Sequence, residues 1–194
     1  MIEEFIKMNK LKPLVGVIVG STRPHRIGLD LTKWIIQQLN TPKLSFKLLD
    51  LKTISLPFLN EEDLPAKHHY VYEYTKQWSN IIENCDAIIA VFPQYNWGYP
   101  APLKNAFDYL YDEWHDKPIS LVTYGHHGGS QAMIAFKLVI TGLKMQSLSV
   151  NPQIKINNET IYTDNNLFNV IYNLNDYKIQ FKLLKEELVN YLCK

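Results

Sequence analysis

Apolar residues fall into two kinds of pattern along this 194-residue chain, and the two kinds alternate. One kind is a short, nearly unbroken run: LVGVIV from Leu14 to Val19, stopping at Gly20, and DAIIAVF over 86–92. Runs of that length fit strands buried on both faces of a parallel sheet. Leu44, Phe46 and Leu48 alternate in a second strand ending at Asp50-Leu51, 119–124 reads as a fourth strand, and 146–150 as a short fifth. Between these strands the spacing changes to that of a helix. Ile27, Leu31, Trp34, Ile35 and Leu39 trace one helix, and Val71, Tyr74, Trp78, Ile81 and Ile82 another. Leu103, Phe107, Leu110, Tyr111 and Trp114 share a face of a third that begins near Pro102, and Ala132, Phe136, Val139, Ile140 and Leu143 make a fourth. A last amphipathic helix carries Tyr177, Phe181, Leu184, Leu188 and Leu192, after an Asn-rich stretch over 151–175 without clear period.

Five strand–helix alternations predict an α/β three-layer sandwich around a parallel sheet. With no internal repeat, a single domain over 1–194 is expected. In such sheets ligands bind beyond the carboxyl ends of the strands, where the strand order reverses. The loops after strands one, three and four should therefore face one site. They are GSTRPHRIG (20–28), PQYNWGYP (93–100) and YGHHGG (124–129), which are also the least ordinary stretches of the chain.

Composition mostly excludes. Hydrophobic residues make up 46%, charged residues 20%, and the formal net charge is +1. That is ordinary for a soluble protein, and without a basic block or acidic tail neither nucleic acid nor a membrane surface is expected as partner. Cys85 and Cys193 form no disulfide or metal-type pattern, which favours a reducing compartment. The start MIEEFIKMNKLK lacks the apolar core of a secretory signal, and the longest apolar runs are about seven residues, far below the ~20 needed to span a bilayer. A cytoplasmic protein is expected.

Charge changes the picture at one place. Both arginines of the chain, Arg23 and Arg26, lie in GSTRPHRIG; every other strong positive charge is lysine. A helix N-terminus with unpaired N–H groups suits a phosphate, Ser21 and Thr22 add hydroxyls, and an Arg fork matches phosphate oxygens as Lys cannot. The spacing fits neither G-x-G-x-x-G nor G-x-x-x-x-G-K-[ST], so dinucleotide and triphosphate fingerprints are absent. Asp50 reads as a plain strand-end residue. The loop is thus either a polar turn with a helix cap or, with both arginines in it, a phosphate monoester site, which is favoured. No Cys or Asp pair stands there, so a phosphatase is excluded.

The second loop sets three aromatics between prolines and a glycine, which fits a flat heteroaromatic ring; Trp97 and Tyr99 fit a sheet edge or subunit contact as well. The third loop has glycines that let backbone amides face a ligand, or that merely close a tight turn. His126-His127 and His68-His69 have no carboxylate or Cys partner at metal-ligand spacing, and both pairs read as solvated loop. Cys85 reads as core filler.

GSTRPHRIG, PQYNWGYPAPLKNAFDYL and VTYGHHGGSQA, in order and in register, resemble the NADPH-dependent FMN reductase family, and most closely its eukaryotic flavodoxin-like quinone reductases. The resemblance covers about 13–150, the α/β core. It implies a flavodoxin-like sheet in the order 2-1-3-4-5, bound FMN, NADPH or NADH as donor, and a quinone, free flavin or similar acceptor served by ping-pong transfer, with no obligatory side-chain acid or base. A homodimer or tetramer is implied as well. A non-enzymatic FMN-binding electron carrier or flavin-dependent scaffold is the alternative.

The resemblance assigns the FMN phosphate to Ser21, Arg23 and Arg26 with the backbone around Ile27. It assigns the ring to Pro93, Gln94, Tyr95 and Asn96, and the pyrimidine end to Tyr124, Gly125, Gly128 and Gly129. Arg26 and Gly28 stand where many members have Ser and Asn, His25 replaces a glycine familiar in one variant, and His126 replaces a smaller residue. An apolar dimer surface through Trp97, Tyr99, Tyr111 and Trp114 is expected.

Overall fold

The computed structural model describes residues 12–156 and 174–193. The chain up to residue 11 and most of the Asn-rich stretch lie outside the described residues. Strand β1 (Leu14–Val19) leads through the first loop into α1 (Gly28–Leu39), then β2 (Ser45–Asp50), a single-turn α2 (Leu51–Ile54) and α3 (Glu73–Glu83). Then come β3 (Ala87–Pro93), α4 (Ala101–Asp108), β4 (Pro118–Gly125), α5 (Ser130–Gly142), β5 (Gln146–Ser147), β6 (Gln153–Lys155) and α6 (Lys178–Leu192). The strands pair in parallel in the order β2-β1-β3-β4-β5, which is the expected flavodoxin-like order.

The central strands bury both faces, as their unbroken apolar runs require. Val15 and Val17 of β1 pack with Leu31, Ile35, Phe181 and Leu184, so α1 and α6 cover one side. Ile18, Ala90, Phe92 and Leu121 pack with Trp78, Phe107 and Phe136, so α3, α4 and α5 cover the other. Helices lie on both faces. No helix among the described residues is long and apolar enough to cross a membrane.

Two elements depart from the expected pattern. The fifth strand is split: β5 and β6 both pair with β4, at its beginning and at its end. Between them Asn151 takes over from backbone, its side-chain Oδ1 accepting from Leu121 N–H at 2.8 Å, while Ser120 Oγ donates to Val150 O at 2.8 Å. The helix through Leu103 and Phe107 does not run to Trp114. It ends at Asp108, and a 3-10 turn follows over Asp112–Trp114. The Tyr111 N–H donates instead to the Glu113 carboxylate at 3.2 Å, so a side chain replaces the helical carbonyl.

That turn also corrects the expected dimer surface. Trp114 is fully buried, stacked on Phe107 at 4.2 Å between ring centroids, with its indole N–H donating to Phe107 O. Tyr99 packs edge-on against Phe136 at 4.9 Å. Trp97 alone among the strongly apolar members of that set stays well exposed.

Tyr109 lies fully buried with its hydroxyl facing the carbonyls of Pro57 and Phe58. Burial first, then the neighbouring Tyr74 and Glu61, pushes its phenol up to about 12. The folded chain therefore holds this proton more tightly than the unfolded chain, whose Tyr titrates near ~10. The associated stability is intact below pH ~10 and declines as pH rises through about 12. The urea midpoint should drop between pH 9 and pH 11, and Tyr109→Phe should make that drop smaller; an equal drop in the variant would remove Tyr109 from the account.

Candidate functional site

Beyond the carboxyl ends of β1, β3 and β4 lies a cavity of about 280 Å³, close to the lower end of the ~300–1,000 Å³ usual for small-molecule sites. It sits where the strand order reverses, with β2 on one side of β1 and β3 on the other. The first loop contributes Ser21, Arg23, His25, Arg26 and Ile27 to its wall. The second contributes Pro93, Gln94 and Tyr95, the third Tyr124, Gly125 and His126, and Ile156 after β6 closes it. Of the expected site residues, Asn96, Gly128 and Gly129 are not in the wall.

The wall holds two arginines, two histidines and no carboxylate, so it favours an anion. Arg26 is the best defined of these groups. Its side chain is 7% exposed, and its Nη2 donates to Asp50 Oδ2 at 2.5 Å. Asp50, at the end of β2, also accepts from the Lys52 N–H and so caps the single turn α2. One carboxylate thus fixes the guanidinium from behind. Its Nη1 is buried without a hydrogen-bond partner, a state that costs free energy unless a ligand accepts from it. The α1 N-terminus adjoins this group, and no side chain caps it, which leaves backbone donors for an anion. Arg23 is exposed at the rim.

Ser21 is buried, and its hydroxyl is hydrogen bonded to the Tyr95 hydroxyl at 2.7 Å, which ties the first loop to the second. Tyr124 is buried beneath them. Burial holds its phenol well above the ordinary value, so it stays a neutral donor. Gly28 makes room for that ring: a Cβ there would collide with the Tyr124 hydroxyl. The departure from Asn at this position is therefore a packing choice, a glycine traded against a deep-set tyrosine.

Tyr95 to Gly98 closes a two-residue hairpin with reciprocal backbone bonds of 2.9 and 2.8 Å. Asn96 and Trp97 both have positive φ, 46° and 68°, as a primed turn requires. This geometry leaves Asn96 exposed and lifts Trp97 to 72% exposure. Gln94 is held differently. Its Oε1 accepts from the N–H groups of Gln131 and Ala132 at 3.2 and 3.3 Å, so its amide N–H groups are what it can offer a ligand. Gly128 and Gly129 are buried behind the wall; Gly129 caps α5 at φ 77°, where a Cβ would meet Thr123 Cβ at 2.8 Å. They shape the turn that presents Gly125.

The arrangement fits FMN. A phosphate dianion matches the orphaned Arg26 donor and the uncapped helix, and a flat ring matches a wall of Pro93, Tyr95, Tyr124 and Ile156. Nothing in the sequence announced Asp50 as the anchor of Arg26 or Ile156 as a wall residue, whereas His25 and His126, singled out as departures from the family pattern, both line the wall. Ile156 carried no local signal, because it follows an aperiodic stretch and reaches the site only through pairing of β6 with β4.

The family model described as NADPH-dependent FMN reductase matches residues 13–158. The chain is 38% identical over 175 residues to the NAD(P)H-dependent FMN reductase LOT6 of Saccharomyces cerevisiae, covering 76% of this chain and 92% of the relative. It is 30% identical over 162 residues to an NADPH:quinone oxidoreductase of Arabidopsis thaliana, covering 76% of each. Among solved structures it superposes on FerB, a flavoenzyme NAD(P)H:(acceptor) oxidoreductase from Paracoccus denitrificans, with TM-score 0.69 and 26% identity over 91% of this chain and 95% of the other.

Proposed function

The chain belongs to the NADPH-dependent FMN reductase family, and from that premise we propose that it is an FMN-dependent oxidoreductase that moves electrons from NAD(P)H to a quinone, free flavin or similar small acceptor. The observation that supports the reading at the level of the site is the buried, partnerless Arg26 Nη1 beside an uncapped helix N-terminus. When bound, FMN supplies the two-electron chemistry, hydride entering from NAD(P)H and two electrons leaving to the acceptor.

The chain's own residues bind and orient. Arg26, held by Asp50, and Arg23 take the phosphate together with the first-turn backbone of α1 and Ser21. Pro93, Gln94 and Tyr95 hold the ring, with Gln94 donating from its amide because its oxygen is committed to α5; Asn96, in the turn beyond Tyr95, contributes by closing that hairpin. Tyr124, Gly125, Gly128 and Gly129 border the pyrimidine end, the last two by fixing the turn. Reacting atoms must be held to roughly 3–3.5 Å, so rigidity of these loops is their contribution to rate. The relatives above are reductases, and no feature of the geometry favours an electron carrier.

An absorbance spectrum tests the reading. The purified protein should be yellow, bleach on anaerobic addition of NADPH or NADH, and recolour with a quinone. Bound FMN that neither nucleotide bleaches would sink the enzyme reading. The same proposal includes a homodimer, supported by the exposed apolar residues Trp97, Ile134 and Leu138 and checked by light scattering, and a cytoplasmic location, supported by the free thiols Cys85 and Cys193 and checked by cell fractionation.

A further inference from the structure

Three hydroxyls from the three loops meet beneath the cavity. Ser21 Oγ of the first loop and the Tyr95 hydroxyl of the second are hydrogen bonded at 2.7 Å, and Ser21 is also the hydrogen-bonding neighbour of the Tyr124 hydroxyl of the third. We propose that the Tyr124 hydroxyl is a ligand of the FMN phosphate, donating to it where Gly28 opens the first turn of α1. The inference rests on the FMN reading of the cavity. It assigns the tip of this side chain to the phosphate end, while the backbone of Tyr124 stays with Gly125 at the pyrimidine end.

The phenol is placed for that role. Its ring packs with Leu31 of α1 and Val91 of β3, and its hydroxyl ends against Gly28. A Cβ on Gly28 would overlap the hydroxyl oxygen, whereas it would stand 3.4 Å from the ring carbon Cζ. Gly28 is the first residue of α1, whose N-terminus no side chain caps, so the tip of the phenol lies level with the free backbone donors of that turn. Arg26 and Arg23 are the cations that act on it, and Arg26 carries the buried, partnerless Nη1. Guanidinium, helix end and phenol therefore serve one anion position.

The protons of the three hydroxyls point the same way. Each group brings one, and the two links through Ser21 use two of the three. With Tyr95 donating to Ser21 and Ser21 to Tyr124, the third proton sits on Tyr124. Ser21 is the only hydrogen-bond partner of that hydroxyl among the described residues, and the cavity wall holds no carboxylate to accept from it. A phosphate dianion accepts and never donates, so it takes this proton and aligns the chain of hydroxyls behind it. Tyr124 is 5% exposed, and its burial keeps the phenol protonated.

The test rebinds flavin to the full chain, with FMN and riboflavin as the two probes in fluorescence titrations; riboflavin is the same ring system without the phosphate. Tyr124→Phe keeps the ring and removes the hydroxyl. It should weaken FMN binding about tenfold or more and change riboflavin binding by less than about twofold. Gly28→Ala, which displaces the hydroxyl, should show the same selectivity, and should add little in the Tyr124→Phe background because the atom it strikes is gone. A purely structural phenol would lower both affinities together. Equal losses for FMN and riboflavin in Tyr124→Phe would overturn the proposal, as would native FMN affinity in that variant. The oxidoreductase reading is checked separately, by bleaching of the native protein with NAD(P)H, and survives either result.

Discussion

An Arg26→Gln variant is expected to hold FMN about ten- to a hundredfold more weakly than the native chain while keeping its fold. The guanidinium presents one edge to Asp50 and leaves Nη1 buried with nothing to donate to. A hydrogen bond to a charged group contributes ~1.5–3 kcal/mol, and at 1.36 kcal/mol per decade that sets the range given. Asp50→Asn should have a smaller effect in the same direction, because the neutral amide still accepts from Arg26 but holds it less firmly. Flavin fluorescence titration of the apoprotein measures both. If Arg26→Gln binds FMN as the native chain does, Arg26 is only the counter-ion of Asp50, and the phosphate lies elsewhere along the loop.

Trp114→Ala is expected to cost ~3–5 kcal/mol of folding stability. The indole fills space between the parallel ring of Phe107 and the edge of Trp78, at centroid distances of 4.2 and 6.3 Å. Its N–H is committed to Phe107 O at 3.1 Å, so truncation opens a cavity and also removes a buried hydrogen bond. Chemical denaturation should show a lower midpoint with an unchanged slope. A loss below about 1 kcal/mol would mean the aromatic cluster collapses to fill the gap. The result also separates two roles for this residue, since a surface tryptophan at a subunit contact would change assembly and leave monomer stability nearly intact.

What could be read from the sequence follows how local each signal is. The strand runs around Val17 and Ile89 and the helical spacing of Leu31, Trp34 and Ile35 depend on neighbours a few residues away, and they appear in the structure where the spacing places them. The first loop was legible because its arginines stand together. Its anchor was not: Asp50 is separated from Arg26 by 24 residues, and only the parallel pairing of β1 with β2 brings their ends together. Trp114 misled for a related reason. It sits at helical spacing from Phe107, but the Glu113 carboxylate takes the Tyr111 N–H and turns the chain inward. The same Glu113 lies 34 residues from Ser79 and 43 from Tyr70, whose hydroxyls donate to it, so no short-range pattern could announce its burial.

The divided fifth strand has a consequence for how copies of this chain can meet. A sheet edge with a free row of donors and acceptors is a template for strand addition and aggregation. Along the outer side of β4 that row is fully engaged: Leu148 N–H donates to Ile119 O, Thr123 N–H to Pro152 O and Ile156 N–H to Gly125 O, with Asn151 filling the gap at Leu121. A visiting strand would have to evict a mixed series of backbone and side-chain partners whose spacing no regular ladder reproduces. Extension along β4 itself is therefore blocked, and the borders of the sheet are β2 on one side and the short β5 and β6 on the other.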